Sequence, residues 1–292
     1  MEDFPVKINL TGLAQKPDAS GGTVSINLKP YEKGLRSILA PRPLYALSEV
    51  AWPFPQVFRL GLNHYVAIKD TIFRIDSNSL VPMLANIPNS GYPWDAAIVG
   101  DHCIFINNKS VIVGRTNLTL DPDLKIPTGL SICEVNSQLV IAAPWAYGEH
   151  HEQSVIWSQI GSADFTINRS NVAALRFADC GRVLKVIPQV IKTLGGIKKG
   201  FLAFGTTGVS SFLAESLPAG YSMVKISQAG IYSQLAAAGD ETIQYYVSSD
   251  KKLHSVSEGK ITELGYSSQL QGAGSEIVLS YDHFNKELWV SY

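Results

Sequence analysis

Side chains capable of chemistry occur throughout this 292-residue chain, but seldom in an order that chemistry can use. The densest group is Glu149-His150-His151-Glu152, whose imidazoles and carboxylates are ligand types for a divalent metal. Adjacent residues on an extended chain point to opposite sides, so the run reads as a solvated loop rather than a ligand set. Asp121-Pro122-Asp123 offers two carboxylates around a proline, far short of the oxygen shell calcium requires, and reads as a turn. Ser210 and Ser211 lie in Gly208-Val209-Ser210-Ser211-Phe212, which lacks the glycine two residues after the serine that a nucleophile elbow needs. Gly205-Thr206-Thr207-Gly208 and Gly195-Gly196 lack the Lys-Ser/Thr ending of a phosphate loop and read as β-turns.

The remaining candidates are weaker. Cys103, Cys133 and Cys180 are odd in number and show no zinc-like spacing, and Cys103 within Cys103-Ile104-Phe105-Ile106 reads as a small buried hydrophobe. His64, His102, His254 and His283 stand next to turns without diagnostic spacing. Trp94, Trp145, Trp157 and Trp289 could stack on sugar rings, although packing between sheets is the preferred reading. Paired acids for glycoside hydrolysis would have to come from separate repeats, and sequence order does not reveal which carboxylates face each other. The chain is therefore expected to be non-enzymatic, with no catalytic residue, no cofactor-binding residue, no metal site and no cofactor.

The elements that would hold these residues are strands. Hydrophobic residues make up 46% of the chain and charged residues 17%, which implies a substantial core and excludes a disordered or coiled-coil chain. Apolar residues hold helical spacing for three turns almost nowhere, and the best helical stretch, Asn171 to Val190, is interrupted by Gly181 and Pro188. Residues 1–51 read as an extended N-terminal arm, broken by Gly21-Gly22, Pro30, Pro41 and Pro43. Trp52-Pro53-Phe54-Pro55-Gln56 then marks the boundary of a second region, 52–292.

From Val57 onward one unit recurs: an apolar strand, a tight polar turn, a second strand and a looser loop. Six first strands stand out: Tyr65–Ile68, Cys103–Ile106, Leu139–Ala142, Phe201–Phe204, Gln244–Val247 and Ile277–Ser280. Their partners begin near Thr71, Ser110, Val155, Gly208, Lys252 and Glu287, at intervals of 39, 45, 53, 44 and 35 residues. Lys69-Asp70, Asn107-Asn108-Lys109 and Ser248-Ser249-Asp250 supply turn residues, and Pro144 to Gln153 is a polar insertion in one copy. One four-stranded propeller blade takes about 40 to 50 residues. The spacing thus predicts an all-β chain, a β-propeller of about six blades with the N-terminal arm contributing to closure, because the last hairpin leaves no room for an outer strand.

Ser154-Val155-Ile156-Trp157-Ser158-Gln159-Ile160-Gly161-Ser162-Ala163-Asp164-Phe165, followed by Asn171–Leu175, resembles a segment of propeller-like tail and baseplate proteins of tailed bacteriophages and prophages. Leu35-Arg36, Ala40-Pro41 and Trp52–Gln56 resemble the leader of such proteins, and the resemblance spans roughly Leu35 to Leu175. It implies a virion structural protein of the tail tip, baseplate or an associated ring, present in multiple copies and docked on other phage tail or baseplate proteins. It carries over no catalytic residue. The first residues, Met1 to Leu10, show no Sec-type signal, and no stretch has membrane-spanning length without charge or turn residues. Assembly in the host bacterial cytoplasm and a final location in the virion tail are therefore expected. Lys plus Arg (24) nearly balances Asp plus Glu (25), which argues against direct nucleic-acid binding. The alternative is a carbohydrate-binding protein that grips a host-surface glycan through Trp145 or Tyr147.

Overall fold

A computed structural model describes the backbone of 28–31 and 34–37 together with residues 55–76, 79–87, 90–115 (113 and 115 by backbone alone), 126–167, 173–215, 220–274 and 276–291. All sheets are antiparallel. Strands β1 (Leu28–Tyr31) and β2 (Gly34–Ser37) form a separate two-stranded ribbon. The first sheet runs β3 (Gln56–Leu60), β4 (Asn63–Ile68), β5 (Thr71–Asp76) and β6 (Ser79–Leu84). Among the described residues the second comprises β7 (Asp95–Val99), β8 (His102–Ile106) and β9 (Val111–Arg115). The third contains β10 (Ser131–Val135), β11 (Gln138–Ala142), β14 (Ser154–Trp157) and β15 (Ala174–Phe177), with the ribbon β12 (Trp145–Ala146) and β13 (Glu149–His150) inserted in it.

The fourth sheet holds the longest pair, β16 (Val183–Thr193) and β17 (Gly196–Gly205), followed by β18 (Gly208–Ala214) and β19 (Tyr221–Ser227). The fifth contains β20 (Ala237–Gly239), β21 (Gln244–Val247), β22 (Leu253–Ser257) and β23 (Lys260–Gly265). After the short helix α1 (Ser267–Gln271), β24 (Val278–Asp282) and β25 (Glu287–Ser291) make the sixth sheet, of two strands.

The apolar strands read from sequence fall on β4, β8, β11, β17, β21 and β24, and their partners on β5, β9, β14, β18, β22 and β25. The turns between them have the backbone their residues permit, with positive φ at Lys69, Asn108 and Lys251. The described part of the stretch weighed as a helix holds β15 and the start of β16, joined by a bend, and Pro188 sits within β16.

In the middle strands, successive residues serve different cores. Ala97, Val99, Ile104 and Ile106 of the second sheet pack on Ile132, Leu139, Ile141 and Ile156 of the third. Cys103, Phe105 and Ile112, on its opposite face, pack on Leu60, Tyr65, Ala67 and Ile72 of the first. Burial on both faces is why these strands read as continuous apolar runs rather than alternating ones. The largest cluster joins the third and fourth sheets through Trp157, Phe201, Phe212 and Tyr221, with Phe201 and Phe212 stacked at 4.6 Å. Gly200 is required there, because a Cβ at that position would lie 1.9 Å from the Phe212 carbonyl oxygen.

A closed six-bladed propeller, sealed by an N-terminal strand, is not what these strands form. The sheets are small and open, and none closes on itself. Five apolar clusters lie between consecutive sheets, the fifth joining the fifth sheet to α1 and the sixth sheet. Among the described residues, no sixth cluster joins the last sheet to the first. There the Arg59 guanidinium lies 5.4 Å from the ring centre of the exposed Phe284, a contact at the surface. Nor does the amino-terminal ribbon extend β24–β25, because β1 and β2, two residues apart, pair with each other. Short loop closure costs far less entropy than recruiting a strand across the whole chain. The rest of the arm lies outside the described residues.

First strands of all six sheets line one central cavity of about 620 Å³. At its wall, Asp95 on β7 receives hydrogen bonds from the Ala96 and Ile132 amides at 3.0 and 3.1 Å and from the Ser131 hydroxyl, and pairs with Lys185 Nζ on β16 at 2.9 Å. Ser131 Oγ also accepts from the Val186 amide at 3.1 Å, so one carboxylate ties three sheets together. Asp95→Ala strands Lys185 and three donors at a largely buried position. A loss of about 3 kcal/mol is expected by urea unfolding, with part of it recovered in an Asp95→Ala/Lys185→Met double variant.

Candidate functional site

The polar insertion at 144–153 forms one wall of an open cleft. Tyr147 and Gly148 both take positive φ, as a tight two-residue hairpin turn requires, and fold β12 back on β13. The cross-strand pair Trp145 and His150 stacks at 4.5 Å with rings nearly parallel, so one indole face is covered. Trp145 remains 49% exposed and Tyr147 59%, and both line a cleft of about 780 Å³ together with Ile126, Pro127 and the segment Ala163–Ile167. The Tyr147 hydroxyl donates to the Phe165 carbonyl at 3.0 Å, fixing the ring against the opposite wall.

Asp164 supplies the cleft's carboxylate. The Thr166 amide donates to Asp164 Oδ1 at 2.8 Å and Gln159 Nε2 to Oδ2 at 3.0 Å. Hydrogen bonding from Thr166 holds this carboxyl below its usual range, so it is charged at neutral pH. Aromatic faces, apolar walls and one charged acceptor suit a ligand with both C–H faces and hydroxyl donors.

The Glu149-His150-His151-Glu152 run is drawn into structure rather than into a ligand set. His150 is engaged with Trp145 and lies 3.4 Å from Glu152, which is 3.7 Å from Arg182, while the His151 amide donates to the Pro144 carbonyl at 2.9 Å. Among the described residues, no three histidine, cysteine or acidic side chains converge as metal ligands. Asp121-Pro122-Asp123 lies outside the described residues. Ser210 and Ser211 are buried in β18, and Gln189 Nε2 donates to Ser211 Oγ at 2.7 Å. Trp94 and Trp157 are core residues, whereas Trp145 and Trp289 are half-exposed.

Two clusters escaped sequence reasoning. Asp95 and Lys185 face the central cavity, and both carboxylate oxygens accept hydrogen bonds, which fits a clamp between sheets. The second cluster is a serine, an acid and a histidine: Ser248 Oγ lies 2.5 Å from Asp250 Oδ1 and 3.1 Å from His254 Nε2. The hydroxyl sits between carboxylate and imidazole, whereas a nucleophilic triad needs the imidazole in the middle. Ser248 is fully buried and also accepts from the Lys252 amide at 3.3 Å, so the group staples the β21–β22 turn. Burial also raises all three thiols, that of Cys180 to about 12, which makes them poor nucleophiles.

His254 stacks on Tyr246 at 4.8 Å, and burial lowers its pKa below the ordinary 6.5. The unfolded chain therefore takes up a proton at a pH where the folded one does not. Stability from this residue is complete above about pH 7 and falls as pH drops through 6.5 towards the depressed folded value. A His254→Gln variant should show a shallower loss of unfolding free energy across that window, measured by urea titration at several pH values.

No protein family and no curated protein matches the chain. Among solved structures, it is similar to that of Kluyveromyces lactis Hsv2p at 9% identity, covering 78% of this chain and 93% of that one, with a TM-score of 0.29, too low to bear on fold or function.

Proposed function

We propose that this chain is a non-enzymatic structural protein of a bacteriophage tail, carried in the virion and docked in multiple copies on other tail or baseplate proteins. The observation that carries this reading is the resemblance of Ser154–Phe165 to tail proteins, together with the use the fold makes of that segment. Val155, Ile156 and Trp157 are buried in β14, Gly161 takes positive φ, and Phe165 closes the cluster between the second and third sheets. Its buried residues serve packing, while Ile160 and Asp164 remain exposed. The near balance of charges favours protein docking over nucleic acid. An extended arm suits such docking because it can add strands to a neighbour's sheet. Deleting residues 1–51 should abolish incorporation into purified particles, scored by immunoblot of gradient-purified virions. Normal incorporation of the truncated chain, or absence of the intact chain from particles, overturns the reading.

A second reading is favoured by one feature, the cleft holding Trp145, Tyr147 and Asp164, whose composition suits a host-surface glycan. On a glycan array the intact protein should bind at least one sugar, and Trp145→Ala should weaken that binding by about tenfold, equivalent to about 1.4 kcal/mol. Silence of the intact protein across the array removes this reading.

A further inference from the structure

The hairpin of β16 and β17 runs beyond its own sheet. Pairing continues for four registers past Gln189 and Gly200, the last level at which β17 also pairs with β18. At about 3.3 Å per residue, this carries the turn roughly 13 Å outward. The base is braced, with Gln189 buried and the Val190 amide donating to the Glu241 carbonyl at 2.6 Å. The tip is bare: Leu194 is fully exposed and Ile197 is 68% exposed.

Below the turn, each level of the ladder couples an apolar residue to a lysine: Lys192 with Ile197, Ile191 with Lys198, and Val190 with Lys199. Lys198 lies 3.9 Å from Glu215, while Lys192 and Lys199 have no carboxylate within ion-pair distance among the described residues. Lysines on a projecting strand deter edge-to-edge pairing, but that role does not require an uncovered leucine at the turn. Two apolar side chains are too little for a stable protein interface, which buries about 800 Å² on each partner. A bilayer asks for no matching shape. Its acyl boundary accepts small apolar tips, and anionic headgroups attract the lysines just behind them.

We propose that the β16–β17 tip is a peripheral docking site for an anionic membrane surface, with Leu194 and Ile197 entering the lipid and Lys192, Lys198 and Lys199 held at the headgroups. Such a tip lies in the interface without spanning it. The inference goes beyond the tail reading and does not depend on it.

The test is vesicle flotation of the full-length protein with phosphatidylcholine alone and with added phosphatidylglycerol. Binding should be about tenfold stronger to the anionic vesicles and fall about tenfold both in Leu194→Asp/Ile197→Asp and in Lys192→Glu/Lys199→Glu. These residues lie outside the cores, so the thermal midpoint should not move. Cys103, Cys133 and Cys180 are buried, so a Leu194→Cys variant can be labelled selectively with an environment-sensitive dye, whose emission should shift to the blue on anionic vesicles. Equal binding to both vesicle types, full binding by the Asp variant, or an unshifted dye overturns the proposal. So does capture of an acidic protein without vesicle binding, which would put a protein partner in the membrane's place. None of these results bears on incorporation into particles.

Discussion

Burial of the middle strands on both faces is the constraint from which the architecture follows. A strand such as β8 cannot satisfy its apolar residues with one neighbour, since Ile104 and Ile106 face one sheet while Cys103 and Phe105 face another. Each sheet must therefore sit between two others, and the chain meets this by laying down one small antiparallel sheet after another. The ends of the series are the exceptions. Among the described residues the second sheet has three strands and the sixth two, so the shared packing does not depend on four described strands in each sheet.

Where apolar packing meets the central cavity, charge takes over as the connector. Asp95 gathers donors from β10 and β16 as well as from its own strand, and Ser131 passes the link on to Val186. A similar economy holds between the third and fourth sheets, where the Tyr221 hydroxyl donates to Gln138 Oε1 at 2.9 Å and Gln138 Nε2 donates to the Ser158 carbonyl at 2.7 Å. Buried polar groups are costly unless matched, and these are matched to one another. The Trp145 cleft and the β16–β17 tip, by contrast, expose their aromatic and apolar side chains at the outer surface.

Strands built from β-branched and aromatic residues were legible in sequence because two-faced burial makes them conspicuous, and their partners followed from the turn residues. The leading strands of the second and fifth sheets were not: Asp95–Val99 and Ala237–Gly239 are short and rich in small residues, with no periodicity to separate them from loops. Closure was misjudged because a repeat in sequence says nothing about whether its ends meet, and the local pairing of β1 with β2 competes with any long-range strand. Trp145 and Tyr147 were visible as aromatics in a polar insertion, but the opposite wall, Ala163–Ile167, is brought to them by the third sheet. The Asp95–Lys185 pair, 90 positions apart, left no local signal at all.

The seam between the sixth sheet and the first has a consequence for how the molecule breathes. Among the described residues, every other junction is sealed by a buried apolar cluster, whereas at this one a guanidinium lies over an exposed ring. Cooperative units part where the fewest apolar groups would be newly wetted. The terminal sheets are thus the natural place for sub-global opening, and amide protons of β3 and β25 should exchange with solvent well before those of β11 and β17, whose residues are locked between neighbours on either side.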